Sequence, residues 1–170
     1  MSEPARALPL PSVFDRLRQE ARSVTTPRRE LVPRFEQARA MEQYRAQVVR
    51  DVQWLLNTRR VHALDAVAYP EVHASAFCFG LPDFTALPAD GIDTPMQLAR
   101  WIEKALTLFE PRLSQVRVRP IAREETIPRR FRFGVSAMLR VEDWTVPVAF
   151  DTSLVPGDQQ WQVTEVAAHA

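Results

Sequence analysis

Apolar residues recur at helical spacing in two stretches of the chain and then switch to alternation. From about Arg39 to Asn57, Met41, Tyr44, Val48, Val52 and Leu55 form one stripe, flanked by Val49 and Leu56. This spacing predicts a long amphipathic helix. Asn57 stands where that helix closes, and Arg59 and Arg60 suit the negative end of its dipole. A second helix is predicted from Thr94, with an N-cap hydroxyl, Pro95 at the first helical position and Gln97 at the capping-box return position. Leu98, Ile102, Ala105 and Phe109 carry its stripe, with Trp101, Leu106 and Leu108 beside them. Pro111 pushes Glu110 out of the helical region, so the helix must stop there.

Beyond that stop the period falls to two. Val116 and Val118 alternate with Arg117 and Arg119. Phe131, Phe133, Val135, Ala137 and Leu139 alternate with Arg130, Arg132, Gly134, Ser136 and Met138. Both patterns predict strands with one buried face. Val146, Val148 and Phe150 predict a third strand, and Trp161, Val163 and Glu165 a fourth after the Pro156-Gly157-Asp158 turn signal. Helices first and hairpin-linked strands afterwards predict an α+β fold, with N-terminal helices packed on a C-terminal antiparallel sheet of about four strands.

Residues 1–38 read as an N-terminal arm. Its start is proline-rich; Ser12 then precedes Val13, Phe14 and Leu17 as the cap of a short amphipathic helix. The stretch from Arg22 to Arg34 holds Thr25, Thr26, Pro27 and Pro33 among charges and reads as a linker. Residues 39–170 read as one domain. Between its long helices, Ser75 to Phe79 predict a single helical turn that ends at Gly80, before Pro82 and Asp83 redirect the chain.

Charge narrows the function classes. Lys plus Arg number 22 against 21 Asp plus Glu, so a net charge of +1 supplies no bulk attraction to nucleic acid or an anionic membrane. Lys104 is the only lysine among those 22, and guanidinium forks suit planar contacts with carboxylates. One cysteine, Cys78, excludes an intrachain disulfide and fits a reducing compartment. The N-terminus lacks the basic start and apolar core of a signal peptide, and no apolar run reaches spanning length. A cytoplasmic protein without direct membrane insertion is the expectation.

Catalytic chemistry finds little purchase. His62, His73 and His169 are too dispersed for a helical metal pair, and no second cysteine accompanies them, so neither a metal site nor a cofactor is expected. There is no phosphate-cradling glycine loop and no Gly-x-Ser-x-Gly elbow, and Cys78 sits in an apolar context that suits core packing. Glu103 and Glu110 are the nearest carboxyl pair on a predicted helix, but seven residues separate them by roughly 10 Å along the axis, too far for glycoside hydrolysis. Loop carboxylates such as Asp83 or Asp90 keep a degenerate muramidase as the enzyme alternative. Arg129-Arg130-Phe131-Arg132-Phe133 mixes cations and aromatics as nucleic-acid-binding sheets do, yet alternation sends the two kinds to opposite faces. A nucleic-acid-binding sheet is the weaker alternative.

The step Phe109-Glu110-Pro111-Arg112-Leu113 is the most specific local feature. In an extended segment Glu110 and Arg112 would project to one side while Pro111 stiffens the link, giving a rigid presenter of two opposite charges. Glu110 also opposes the dipole of the helix it ends, which suggests retention for another purpose.

Four segments in order resemble one family, the TssE-type baseplate subunits of the type VI secretion system, akin to the small wedge subunit of contractile-phage baseplates. They are Pro11-Ser12-Val13-Phe14-Asp15-Arg16-Leu17, the run Val49 to Arg60 containing Asp51-Val52-Gln53-Trp54, Phe79-Gly80-Leu81-Pro82-Asp83-Phe84, and Phe109 to Leu113. Cys78 and Phe79 depart from the Asn and Tyr common in the family. The resemblance implies a non-enzymatic structural component, cytoplasmic but within a membrane-docked baseplate, with residues 39–170 as the wedge domain. It assigns Glu110, Pro111 and Arg112 to contacts with TssF-like and TssG-like wedge partners. It also implies contact with TssB/TssC-like sheath subunits through strand edges, helping to initiate sheath assembly. Val13, Phe14 and Leu17 become an N-terminal docking helix, with a TssK-like baseplate subunit as a further candidate partner.

Overall fold

The computed structural model describes residues 34–60, 70–85, 87–88, 91–121, 131–141, 144–155 and 160–166. The chain divides into two compact units, Met1–Val48 and Val49–Ala170. Helix α1 (Arg34–Asn57) starts ahead of the expected Arg39. Ala38, Arg39 and Ala40 are good helix formers, so propensity carries the helix back beyond its apolar stripe. The stripe itself is as predicted: Tyr44 and Val48 are buried in the first unit, and Val52, Leu55 and Leu56 in the second. The arm helix expected around Val13, Phe14 and Leu17 lies outside the described residues, as does the Pro156-Gly157-Asp158 turn.

A short helix α2 (Pro70–His73), absent from the sequence expectation, precedes a 3₁₀ turn at Ala76–Cys78. The Ser75 hydroxyl accepts from Phe77 N, and Cys78 is fully buried. Gly80 follows with φ +105°, a conformation that favours glycine. It lets the chain run beside the end of α1, where Leu81 N donates to Thr58 O (2.9 Å) and Arg60 N donates to Leu81 O (2.7 Å).

Helix α3 (Thr94–Phe109) buries Leu98, Ala99, Ile102, Ala105 and Leu106. Its start differs from the expected capping box. The Thr94 hydroxyl donates to Pro88 O at 2.8 Å and is therefore turned away from the helix amides. Asp93 takes the N-cap position without a side-chain bond, and its carbonyl accepts from Gln97 N. Tertiary contact with the preceding loop overrode a local capping signal.

Strands β1 (Leu113–Pro120), β2 (Phe131–Val141), β3 (Trp144–Val155) and β4 (Gln160–Val166) form an antiparallel sheet in sequence order. The α+β class follows as expected. Strand β2 keeps strict alternation, with Phe131, Phe133, Val135, Ala137 and Leu139 all buried. Strand β1 starts earlier than its alternating pattern because Gln115 adopts φ +53° and the register shifts between Ser114 and Arg117. That bulge puts Leu113 and Val116, three positions apart, on the same buried side. Trp161 anchors the sheet's other end, tilted against Phe133 at 5.7 Å and edge-on to Phe84 at 6.0 Å.

Candidate functional site

Where α3 ends, Glu110 N still donates to Leu106 O, but Glu110 itself leaves helical geometry with φ −118° and ψ 80°. The expected extended run does not follow. Leu113 N donates back to Glu110 O at 3.0 Å, closing a tight turn over Pro111 and Arg112. Proline suits the first central position of such a turn, where its fixed φ costs nothing. Arg112 O accepts from Arg140 N at 2.8 Å, which ties the turn to β2 at the foot of the sheet.

The charges are consequently held inward rather than displayed side by side. Arg112 Nε donates to Glu110 Oε1 and Arg112 Nη2 to Glu110 Oε2, both at 2.7 Å, and Arg112 N reaches Glu110 Oε1 at 3.3 Å. Nη2 also donates to Asp51 Oδ2 of α1 at 2.7 Å. The Glu110 side chain is 6% exposed, those of Arg112 and Asp51 21% and 23%. Pro111 is the exposed apex. The expected pair of presented charges is thus corrected: a turn replaces the extended segment, and two carboxylates draw the guanidinium beneath the surface. Burial works against the charge of Arg112, but the hydrogen bonds and charge of Glu110, then those of Asp51, outweigh it and raise its pKa. Arg50 Nη2 approaches the second oxygen of Asp51 at 3.4 Å, so the acidic charge of the cluster is matched.

Asp51 was not singled out in the sequence. It lies 61 positions from Arg112, and only its place in the Val49 to Arg60 segment marked it at all. Next to the cluster, Trp54, Phe79 and Phe109 contact one another in series, with ring centroids 5.7 and 5.4 Å apart.

The two outer edges of the sheet differ. At β1, Val118 N points outward and donates to Glu103 Oε2 of α3 at 3.0 Å, with Arg117 3.7 Å from the other oxygen. Pro120, next in the outward series, has no N–H to offer, so this edge is blunted. At β4, the Asn57 side chain acts like a peptide group. Its Nδ2 donates to Trp161 O (2.9 Å) and its Oδ1 accepts from Trp161 N (2.8 Å). Past Trp161, no further strand pairs with β4 among the described residues.

The carboxylates weighed for catalysis have other engagements. Glu103 secures the β1 edge and Glu110 grips Arg112. Asp83 accepts from both the amide and the hydroxyl of Thr85, which hold its carboxyl below the usual range, and Asp90 lies outside the described residues. Phe131 and Phe133 are buried, so they offer no stacking platform, and Arg132 faces Asp151 at 3.4 Å. Among the described residues no group of three or more His, Cys, Asp or Glu could hold a metal ion, and no helix is long and apolar enough to cross a membrane.

The model of a family described as baseplate wedge protein gp25 matches residues 42–143. No curated protein matches. Among solved structures, the chain is similar to one from "The baseplate complex from the type VI secretion system", at 22% identity, covering 74% of this chain and 96% of that one, with a TM-score of 0.45.

Proposed function

The chain belongs to the baseplate wedge protein gp25 family, and on that premise we propose that it is the TssE-type wedge subunit of a type VI secretion baseplate, a structural rather than catalytic component. The observation that carries this reading is the family match over residues 42–143, which takes in three of the four recognised segments, Val49 to Arg60, Phe79 to Phe84 and Phe109 to Leu113. In this reading the protein works in the cytoplasm against a membrane-docked assembly. It joins TssF-like and TssG-like partners to TssB/TssC-like sheath subunits and helps sheath assembly begin.

The turn supports the first contact. Pro111 and the outer flank of Arg112 meet the wedge partners, while Glu110 and Asp51 hold Arg112 from behind. A surface fixed in this way loses little conformational freedom when bound, and a defined guanidinium can set register. The unequal sheet edges support the second contact. Strand addition needs an unblocked edge, and among the described residues β4 provides one past Trp161 where β1 does not. Val13, Phe14 and Leu17 serve in this proposal as the docking helix of the arm, towards a TssK-like or other baseplate subunit.

The test is a pull-down of the tagged full-length chain from its native cell. Wedge and sheath subunits should accompany it. A folded chain that retrieves neither overturns the reading.

A further inference from the structure

Beside α3 and apart from the Glu110 turn lies a cavity of about 100 Å³, bounded by Arg60, His73 and Lys104 and walled by Trp101, Leu108 and Phe109. Among the described residues its polar lining is two cations, one guanidinium and one ammonium, and one imidazole, with no carboxylate. We propose that this cavity is a binding site for a single small oxyanion, a carboxylate or phosphate group.

Three observations converge. Both ring nitrogens of His73 are shielded from solvent, yet neither has a hydrogen-bond partner among the described residues. In either neutral tautomer one nitrogen is a donor, and a shielded donor without an acceptor is unfavourable. The charges that act on His73 are those of Lys104 and Arg60; burial first, then these two, hold its pKa below the ordinary value. Neither cation has an ion-pair partner among the described residues, although carboxylates nearby in sequence, such as Glu103 and Asp83, pair with Arg117 and Arg59 instead. An oxyanion would offset the repulsion between the Arg60 and Lys104 cations and accept from both, and from the imidazole N–H of His73. The volume leaves room for one compact oxyanion. The apolar wall favours a group carried on an apolar stem and keeps competing water on one side.

The site stands on its own lining and does not depend on the wedge assignment. It is tested by following the His73 ring resonances of the full chain during separate titrations with inorganic phosphate, acetate and, at matched ionic strength, chloride. Saturable shifts with phosphate, acetate or both, but not chloride, are expected. Phosphate alone identifies a phosphate-type ligand, whereas a response to acetate shows that a carboxylate suffices. Lys104→Gln, at an exposed position, should weaken saturation by roughly tenfold, since a charge-assisted bond is lost. Arg60→Gln should act in the same direction. Shifts indistinguishable from those with chloride, or saturation unaltered in both variants, would overturn the proposal.

Discussion

Arg112 grips Glu110, two residues before it, with two parallel 2.7 Å hydrogen bonds across the exposed Pro111. A fork of this kind combines charge with planar geometry, which an ammonium group cannot reproduce. It also explains an electrostatic anomaly at the end of α3. A carboxylate at a helix C-terminus is unfavourable by local rules, but Glu110 is compensated by a half-buried guanidinium rather than by the helix.

Removing Glu110 takes both bonds of the fork from Arg112 and leaves its contact with Asp51. Glu110→Ala should therefore lower unfolding free energy by about 2–4 kcal/mol, below the cost for a fully enclosed pair because Asp51 remains. Urea denaturation measures it. Arg112→Lys should lose a comparable part of that stability despite keeping its charge, and a stability equal to the parent protein would show that the fork is inconsequential.

Asn57 links the end of α1 to the start of β4 through both polar atoms of its amide. Asn57→Ala should cost about 1–2 kcal/mol, for the two part-buried bonds to Trp161 and the exposed one to Gln53 O. Amide exchange should accelerate at Trp161 more than in the centre of β3. Asn57→Asp keeps the acceptor for Trp161 N but sets a carboxylate oxygen against the carbonyls of Gln53 and Trp161 at the helix C-terminus, so it should cost at least as much as Asn57→Ala.

Gly80 is constrained twice. Its φ is +105°, and a Cβ there would lie 2.3 Å from Thr58 O, a backbone atom already accepting from Leu81 N. Gly80→Ala should destabilise by about 3 kcal/mol or more, combining a disfavoured backbone region with a steric collision. Thermal unfolding provides the measurement, with Gly134→Ala as a contrast: the nearest atom to its added Cβ would be Ile121 Cδ1 at 3.8 Å.

Gln115 is the opposite case, an exposed residue with φ +53° at the β1 bulge. Gln115→Gly should stabilise the protein by about 1 kcal/mol, less any loss from greater freedom of the unfolded chain. A lowered melting temperature would show that the Gln115 side chain supports the bulge through contacts that outweigh its backbone strain.

Much of the architecture was written in local pattern. The helical stripe through Val48, Val52 and Leu55, the helix stop before Pro111, the turn ending at Gly80 and the alternation from Phe131 to Leu139 all reflect dihedral preference and a single buried face. Such signals lie within a few residues of one another, so the chain itself displays them. Thr94 shows their limit: its hydroxyl had a capping role by sequence and a loop carbonyl in the fold.

The sequence by itself determined that Glu110, Pro111 and Arg112 form a charged break between the last helix and the sheet. Only the tertiary structure decided that the break is a turn, that Asp51 joins it, and that its charges face inward. Local preference acts over neighbouring residues, whereas the Arg112 to Asp51 bond spans 61 positions and the Asn57 to Trp161 bonds span 104. Bonds of that reach depend on where packing brings the helix and strands, and no local pattern encodes their geometry.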